Sequence, residues 1–294
     1  MPFVTSSNPF LGIISRFAPS PTGRLHLGHA FSALKAHDFA RASGGQFLLR
    51  IEDIDPGRVR VGFVDGIIED LSWLGLSWDG IVLRQSQRLG FYAATLDRLK
   101  AVDLLYPCFC TRAEIAASAA APHGAEGPAY PGTCRSLSAA ERDARMADQA
   151  HCWRLDMAKA INAVGTSLHW HDATAGLVEA NPARHGDIVL ARKDAPVSYH
   201  LAVTIDDAAQ GVTDVVRGDD LFESTHIHRL LQALLGLPTP HYHHHPLLVG
   251  PDGRRLAKRD GAKSLAEYRE AGADPQDLVS RLRAGRLPIA PPNA

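Results

Sequence analysis

The chain has 294 residues with a formal net charge of −1, and 45% of them are hydrophobic while 21% are charged. This composition is ordinary for a globular protein with a sizeable core, and it lacks the global basic field typical of many nucleic-acid-binding proteins, although a local basic face would suffice for RNA. No signal peptide and no bilayer-length apolar run is recognisable, so we expect a cytoplasmic protein. The four cysteines fit a reducing compartment better than a disulfide framework.

The amino-terminal part predicts strands that alternate with helices. A short apolar run predicts a strand over Ile13–Phe17, helical spacing follows from about Leu27 to Arg41, and a second strand is predicted over Gln46–Glu52. The next helix is predicted to end near Gly75, and its apolar positions are Val64, Ile67, Ile68, Leu71 and Leu74. This order favours βαβ units around a parallel sheet.

The pattern changes in the middle of the chain and then returns. Ala116–Pro131 is rich in alanine, glycine and proline and predicts a connection. Alternating apolar residues predict a strand over Leu201–Ile205, and Val212–Val216 predicts another. Apolar residues from Ile227 to Leu235 predict a helix, which Gly236 would end.

These elements predict an α/β fold with one interruption. A split domain is expected over residues 12–103 and 187–250, with an insertion at residues 104–186 between its halves. Residues 251–294 would form a loop and a short carboxy-terminal segment.

A helix start after the first strand is a candidate phosphate site, since no glycine-rich phosphate motif of the common kinds is present. The segment Ala18–Gly23 ends the strand, and His26 and His29 then share one face of the helix that begins there. A helix amino terminus offers free N–H groups to phosphate, and Gly28 permits close approach of a nucleotide. Two histidines near a turn are by themselves more often a surface feature.

The sequence around the two histidines is more specific than the histidines alone. Arg16–His29 resembles the first signature of the class I aminoacyl-tRNA synthetases, and its Ala18–Gly23 part is similar to the glutamyl and glutaminyl branch. Arg50–Asp55 is similar to the same branch. The resemblance implies a Rossmann-type catalytic domain that binds ATP together with Mg²⁺.

The second signature of that family is a mobile Lys-Met-Ser-Lys-Ser loop. Arg255–Arg259 stands at the corresponding place, where Lys258 matches the family and Arg255 and Arg259 depart from it. Such a cationic loop neutralises charge as pyrophosphate leaves. The resemblance therefore implies catalytic roles for His26, His29 and Lys258, and ATP binding by these three residues and Gly28.

The resemblance also implies a glutamate pocket made of Arg16, Ser20, Glu52, Tyr199 and Arg217. Arg16 would pair with the side-chain carboxylate and Glu52 with the ammonium group. The alternatives are an Arg16–Glu52 ion pair between strands and a bridge from Arg217 to Asp219 or Asp220. The acidic runs at residues 52–55 and 206–207 are assigned to turns and ion pairs, because the Mg²⁺ of this chemistry arrives with ATP.

The cysteines of the insertion predict a structural zinc site. Cys108, Cys110 and Cys134 offer three thiolates for a tetrahedral ion. Resemblance to short paralogues of glutamyl-tRNA synthetase implies that Tyr130 is the fourth ligand through its phenolate. His123 and Cys152 stay open as alternatives for the fourth ligand, and unliganded core cysteines are the alternative to any metal.

Two further groups of side chains allow two interpretations each. In related enzymes the insertion contacts tRNA, so Arg135, Arg142 and Arg145 are candidates for phosphate contacts, whereas a solvated helix face would explain them equally well. The histidines His241, His243, His244 and His245 would face opposite sides of a strand. We therefore favour a structural or phosphate-facing role for them over a metal site.

The short segment after Lys258 makes the chain similar to the glutamyl-Q tRNA(Asp) synthetases, which lack an anticodon-binding domain. That resemblance implies ATP-dependent activation of L-glutamate to glutamyl-adenylate and transfer of glutamate to the queuosine base in the anticodon loop of tRNA(Asp), by a monomeric ligase. The alternatives are a minimal glutamyl-tRNA synthetase that charges the 3′ end of tRNA(Glu), and a silent paralogue that only binds tRNA.

Overall fold

The computed structural model describes residues 12–111, 113–115, 130–250 and 263–287. Its helices are α1 (Leu27–Ala42), α2 (Val61–Trp73), α3 (Leu89–Ala101), α4 (Ala139–Met146), α5 (Met157–Val164), α6 (Tyr199–Ala209), α7 (Ser224–Leu235), α8 (Leu265–Glu270) and α9 (Pro275–Arg283). Short 3₁₀ helices cover Gln85–Arg88, Pro182–His185 and Asp219–Leu221. Its strands are β1 (Ile14–Phe17), β2 (Gln46–Ile51), β3 (Leu83–Arg84), β4 (Leu105–Cys108), β5 (Cys152–Leu155), β6 (His169–Asp172), β7 (Gly176–Glu179), β8 (Val189–Ala191), β9 (Asp214–Gly218) and β10 (His241–His245).

The described strands form three sheets. β1, β2 and β3 are parallel and lie in that order, which confirms the predicted βαβ units. A mixed sheet has the order β7-β6-β10-β9, with β10 parallel to both β6 and β9. The antiparallel sheet β4-β5-β8 carries Cys108 and Cys152 and joins the insertion to residues that follow Gly186.

The first two sheets meet at β1 and β9. The Thr213 amide donates to the Ile14 carbonyl at 3.0 Å, and the Ile14 amide donates to the Thr213 hydroxyl oxygen at 2.8 Å. All residues of β1 and β9 are buried, as expected of strands that are covered on both faces. The carboxyl ends of several parallel strands therefore come together at one edge, where ligands bind in open α/β sheets.

Helix boundaries follow the predicted signals in most places. α1 and α2 lie where apolar spacing predicts them, and Gly75 after α2 has a φ of +73°. Gly236 ends α7 in the left-handed region at a φ of +65°, which a residue without Cβ adopts at low cost. Within the described residues, no helix is both long and apolar enough to cross a membrane.

The strand predicted over Leu201–Ile205 is wrong, because these residues belong to α6. Ser198 begins that helix and its hydroxyl accepts a hydrogen bond from the Leu201 amide at 3.5 Å. Every residue from Leu201 to Asp207 is buried, so no solvent-exposed face marks a period of 3.6 residues over this stretch. Periodicity alone cannot separate a fully buried helix from a buried strand.

Two large hydrophobic cores support this arrangement. In one, α1 and α2 pack on β1 and β2, with Leu34, Phe47 and Leu71 almost completely buried. In the other, α3, α5, α6 and α7 pack around residues such as Leu201 and Leu231. Because interiors are close-packed, the polar side chains between these cores have fixed positions.

Candidate active site

A cavity of about 430 Å³ opens at the carboxyl ends of β1, β2 and β9, beside the start of α1. The sequence-predicted residues that line it are Arg16, Ser20, His26, Gly28, His29, Glu52, Tyr199 and Arg217. These residues come from distant parts of the chain, and the fold brings them together around one cavity. Lys258, Arg255 and Arg259 lie outside the described residues.

The two histidines at the start of α1 form a reciprocal cap. The Gly28 amide donates to Nδ1 of His26 at 3.1 Å, and the His26 amide donates to Nδ1 of His29 at 3.2 Å. Since each Nδ1 accepts a hydrogen bond, each neutral ring carries its hydrogen on Nε2. The first turn of α1 contains no acidic residue. This end of the helix is therefore suited to anionic phosphate groups.

Gly28 leaves room for the His26 ring in this cap. A Cβ at position 28 would lie 3.0 Å from Cε1 and 3.1 Å from Nδ1 of His26. Such a side chain would displace the His26 ring from the position in which it accepts from the helix.

The chain returns to this helix start after the segment that carries Lys258. Ser264 forms an antiparallel β-bridge with His26, and the Leu265 amide donates to the Leu25 carbonyl at 2.8 Å. Ser264 also caps α8, since its hydroxyl accepts from the Glu267 amide. The residues that follow the second signature are thus anchored beside the first signature.

Arg16 is held by a buried carboxylate. Its Nε and Nη2 donate to the two oxygens of Asp207 at 3.0 and 3.2 Å. Arg50 donates to the same carboxylate at 2.7 Å and to Gln210 at 2.9 Å. Burial raises the pKa of Asp207, but the two guanidinium groups outweigh it, so the pKa lies below its ordinary value. Arg16 keeps three N–H groups beyond those bonds.

Glu52 pairs with Arg50 instead of Arg16. Its Oε1 accepts from Nη2 of Arg50 at 3.3 Å, so the predicted alternative of an Arg16–Glu52 pair is wrong. Burial raises the pKa of Glu52 to about 6 against the opposing effect of Arg50 and Arg16. The two arginines offset only part of the cost of burying the negative charge of Glu52, so a further cation in the cavity would stabilise the carboxylate.

Arg217 is a buried cation with no acidic partner among the described residues. Its nitrogens donate to His244, Thr225, the Leu221 carbonyl, Tyr199 and His228. None of these hydrogen bonds goes to Asp219 or Asp220, so the predicted alternative of a bridge to those residues is wrong. A buried charge without a counter-charge is costly unless a ligand provides one. Arg217 therefore favours an anionic ligand in the cavity.

The strand β10 places its histidines on two faces, as predicted for a strand. On one face His243 pairs with Asp214 at 2.8 Å, and Nε2 of His245 lies 3.2 Å from the Ser32 hydroxyl with its ring lining the cavity. On the other face Nδ1 of His244 lies 2.7 Å from Asp172. These roles are structural or cavity-facing. In the part of the chain that the structure covers, the one group of histidine, cysteine or acidic side chains arranged for a metal is the cysteine group.

A family model described as tRNA synthetases class I (E and Q), catalytic domain, matches residues 12–290. The chain belongs to this family. The predicted α/β class I catalytic domain is thereby confirmed.

Individual relatives indicate a subgroup within this family. It is 49% identical over 275 residues to a glutamyl-Q tRNA(Asp) synthetase of Rhodobacter capsulatus, which covers 90% of this chain and 98% of that protein. It is 48% identical over 286 residues to the protein of the same name from Nocardia farcinica, covering 97% of this chain and 88% of that protein. The chain is thus a member of the glutamyl-Q tRNA(Asp) synthetase group within its family.

The fold of this chain is similar to that of a solved synthetase structure. The glutamate tRNA ligase of Elizabethkingia meningosepticum, determined in complex with its amino acid, is 29% identical and superposes with a TM-score of 0.75. The match covers 92% of this chain but only 60% of that ligase.

Asp207, Arg50, His244 and His228 contact the cavity residues Arg16, Glu52 and Arg217, and the sequence did not reveal these contacts. The ion-pair role predicted for Asp207 is confirmed, but nothing in the sequence connects this residue to Arg16, because 191 positions separate them. The sequence offered one usable signal, which is the pair of adjacent aspartates in an otherwise apolar run, since buried charges need partners.

The cysteine group of the insertion is compact. The sulfur atoms of Cys108, Cys110 and Cys134 lie within 4.8 Å of one another, and those of Cys110 and Cys134 are 3.5 Å apart. The Tyr130 hydroxyl lies 3.6 Å from the Cys110 sulfur and accepts from the Cys134 amide at 2.8 Å. Tetrahedral zinc with bonds of about 2.3 Å needs sulfur atoms about 3.8 Å apart. The group therefore fits such an ion.

Of the two alternative zinc ligands, Cys152 lies among the described residues and His123 does not. Cys152 lies opposite Cys108 in the β4–β5 pair but outside the compact group of three sulfurs. A hydrogen bond with Cys152, against the opposing effect of burial, lowers the pKa of the Cys108 thiol. His123 lies outside the described residues.

The arginines of the insertion lie on or near the exposed helix α4. Arg135 donates to Asp187 at 3.1 Å, and Arg142 donates to the Arg135 carbonyl at 2.7 Å. The guanidinium of Arg145 lies 5.8 Å from the ring centre of Phe109. No residue of α4 is buried. Contact with RNA phosphates stays a prediction for this surface.

Proposed function

We propose that this chain activates L-glutamate with ATP and transfers the glutamyl group to the queuosine base in the anticodon loop of tRNA(Asp). The observation that carries the proposal is a cavity lined by the histidine-capped start of α1, two buried arginines and a buried carboxylate. The names of the relatives support the choice of acceptor. The insertion over residues 104–186 would contact the RNA, and the chain would act as a monomer.

The charges of the cavity match those of glutamate. Arg16 would bind the side-chain carboxylate with the edge that Asp207 does not use, and Glu52 would accept from the ammonium group. Arg217, Tyr199 and Ser20 line the remaining part of the pocket, where the α-carboxylate needs a cation. Two carboxylates and one ammonium group would thus meet two cations and one anion.

ATP would lie along the start of α1. His26 and His29 would donate to its phosphates, and Gly28 would permit the approach of the nucleotide. Lys258 would neutralise charge on the triphosphate together with Mg²⁺ that arrives with the nucleotide. An oxygen of the glutamate α-carboxylate attacks the α-phosphorus, and pyrophosphate leaves with the electrons of the broken bond. A hydroxyl of queuosine then attacks the mixed anhydride and releases AMP. No protein nucleophile is required, because position and charge stabilisation drive both steps.

Exchange of labelled pyrophosphate into ATP tests this activity. Purified protein without tRNA is expected to catalyse exchange with glutamate and not with glutamine or aspartate. Absence of exchange, even after tRNA is added, would leave a silent tRNA-binding paralogue.

The acceptor is tested by locating the labelled glutamate on RNA. Label is expected in the anticodon-loop fragment of tRNA(Asp) that contains queuosine, and none when guanosine replaces queuosine. Label at the 3′ end of tRNA(Glu) would instead indicate a minimal glutamyl-tRNA synthetase.

Glutamate binding is expected to weaken as the pH falls through about 6. Burial raises the pKa of Glu52 to about 6, so below this pH Glu52 becomes neutral and no longer attracts the ammonium group. The KM for glutamate in the exchange reaction should rise about tenfold for each pH unit below that value. The KM for ATP serves as the control, and Glu52→Gln should remove the pH dependence. A flat profile for glutamate between pH 5 and 7 would contradict this role.

We further infer that Cys108, Cys110, Tyr130 and Cys134 hold one structural zinc ion, which would cross-link the start of the insertion to the segment around Tyr130. Burial raises the pKa of the Tyr130 phenol, so the phenolate would form only when the ion binds.

Metal analysis is expected to give about one zinc per chain after loosely bound ions are removed. Tyr130→Phe should lower the affinity for zinc at least tenfold, since it removes one ligand, whereas Cys152→Ser should retain the ion. Competition with a chromogenic chelator measures both. Full zinc retention by Tyr130→Phe together with loss in Cys152→Ser would assign the fourth ligand to Cys152.

A further inference from the structure

Arg217 lies at the centre of a buried chain of hydrogen bonds that reaches well beyond the cavity. On one side its Nε is 3.1 Å from Nε2 of His244, and Nδ1 of His244 is 2.7 Å from Asp172. On the other side its Nη1 is 3.4 Å from Nδ1 of His228, and Nε2 of His228 is 3.2 Å from Nδ1 of His200. The four residues on the two sides of Arg217 come from four elements, namely β6, β10, α7 and α6.

Arginine determines the direction of every bond in this chain, because a guanidinium only donates. His244 therefore accepts at Nε2, carries its hydrogen on Nδ1 and donates to Asp172. His228 accepts at Nδ1, carries its hydrogen on Nε2 and donates to His200. The Thr225 hydroxyl, which accepts from Nη2 of Arg217 at 2.7 Å, lies 3.4 Å from the same Nε2 of His244.

Both imidazoles that contact Arg217 are held neutral. His228 and His244 are 3% and 9% exposed. Burial, followed by the charge of Arg217, lowers the pKa of His244 to about 4 even though Asp172 opposes the shift. The same two causes place the pKa of His228 well below its ordinary value.

The partners of Arg217 differ in kind from those of Arg16. Asp207 orients Arg16 and also neutralises much of its charge. Arg217 donates only to neutral groups, namely two imidazoles, two hydroxyls and one backbone carbonyl, and these leave its charge intact. A guanidinium that is fixed in place and not neutralised binds an anionic ligand more strongly than one already paired with a carboxylate.

We propose that His244 and His228 are positioning residues that hold Arg217 for the α-carboxylate of the amino acid, with Asp172 and His200 fixing the tautomers of the two rings. This inference rests on the proposed activation of glutamate. β-sheet register supports it, because His244 lies directly beside Arg217 in the β9–β10 pair and β6 brings Asp172 to the other side of β10.

Kinetics of three variants test the role of His244. His244→Leu removes the acceptor and should raise the KM for glutamate about ten- to a hundredfold, the range for a lost hydrogen bond to a charged group. The KM for ATP should stay unchanged. His244→Gln restores an acceptor where Nε2 stands and should return the KM for glutamate to within a few-fold of wild type. His241→Leu, at an exposed position of the same strand, is the matched control.

A merely structural role predicts a different result. Partial unfolding of His244→Leu would lower kcat in proportion to the folded fraction, which circular dichroism measures, and would leave the KM for glutamate unchanged. That outcome, or failure of His244→Gln to rescue, would overturn the proposal. His228→Leu should repeat the rise in the KM for glutamate.

Imidazole ¹⁵N spectra of the wild-type protein test the arrangement without any activity. His244 should show the Nδ1–H tautomer and His228 the Nε2–H tautomer, both neutral at pH 6. An Nε2–H tautomer at His244 would overturn the proposal. If the wild type showed no glutamate-dependent exchange, the proposed function would fail separately, and calorimetric glutamate affinity of the same variants would still decide the positioning role.

Discussion

Replacing Lys258 by alanine is expected to slow formation of glutamyl-adenylate by about a hundred- to a thousandfold, the usual cost of losing one charge-stabilising group. Its ammonium group would lie against the triphosphate, where negative charge grows as pyrophosphate departs. Glutamate affinity should change less than about twofold, because the residues proposed to bind glutamate lie in β1, α6 and β9 and just after β1 and β2. Single-turnover measurement of the rate and calorimetric measurement of glutamate binding separate the two quantities.

The neighbouring cations of the same segment provide the control for Lys258. Arg255→Ala and Arg259→Ala remove the same charge at positions that depart from the family signature. Each should slow the reaction by less than about tenfold if Lys258 carries the main effect. Equal losses of rate and glutamate affinity in Lys258→Ala would count against a role confined to ATP.

Replacing Arg16 by methionine is expected to affect both activity and stability. The variant loses the cation proposed for the glutamate side chain, so kcat/KM for glutamate should fall at least a hundredfold. It also breaks a buried ion pair, which typically costs about 3–5 kcal/mol. We expect the low end, about 3 kcal/mol, because Arg50 still pairs with Asp207. Denaturant titration measures the free energy of unfolding, and exchange kinetics at a temperature where the variant is folded measure activity.

Arg283→Met is the matched control for Arg16→Met. Arg283 also makes two hydrogen bonds to one carboxylate, that of Asp38, but its side chain is 50% exposed. An exposed pair contributes less than about 1 kcal/mol, and this one does not line the cavity. Its loss should leave exchange unchanged. A wild-type KM for glutamate in folded Arg16→Met would refute the assignment of Arg16 to the substrate.

Most elements that position the cavity are predictable because their signals are local. β1, α1 and β2 follow from short apolar runs and helical spacing, and His26 and His29 cap α1 through residues no more than three positions apart. The strand prediction for Leu201–Ile205 is wrong because this part of α6 is buried on all sides and has no solvent-exposed face. Arg255–Arg259 resembles a family signature, but it lies outside the described residues.

Neighbours along the chain specify the family signatures, the position of His26 and His29 at the start of α1 and the cysteine spacing. The contacts of Asp207 with Arg16, and of His244 and His228 with Arg217, are visible only in the folded protein. These contacts require β10 to lie between β6 and β9, and α6 to pack beside β1 and β2. Strand order arises from packing of the whole chain, and no local pattern encodes it.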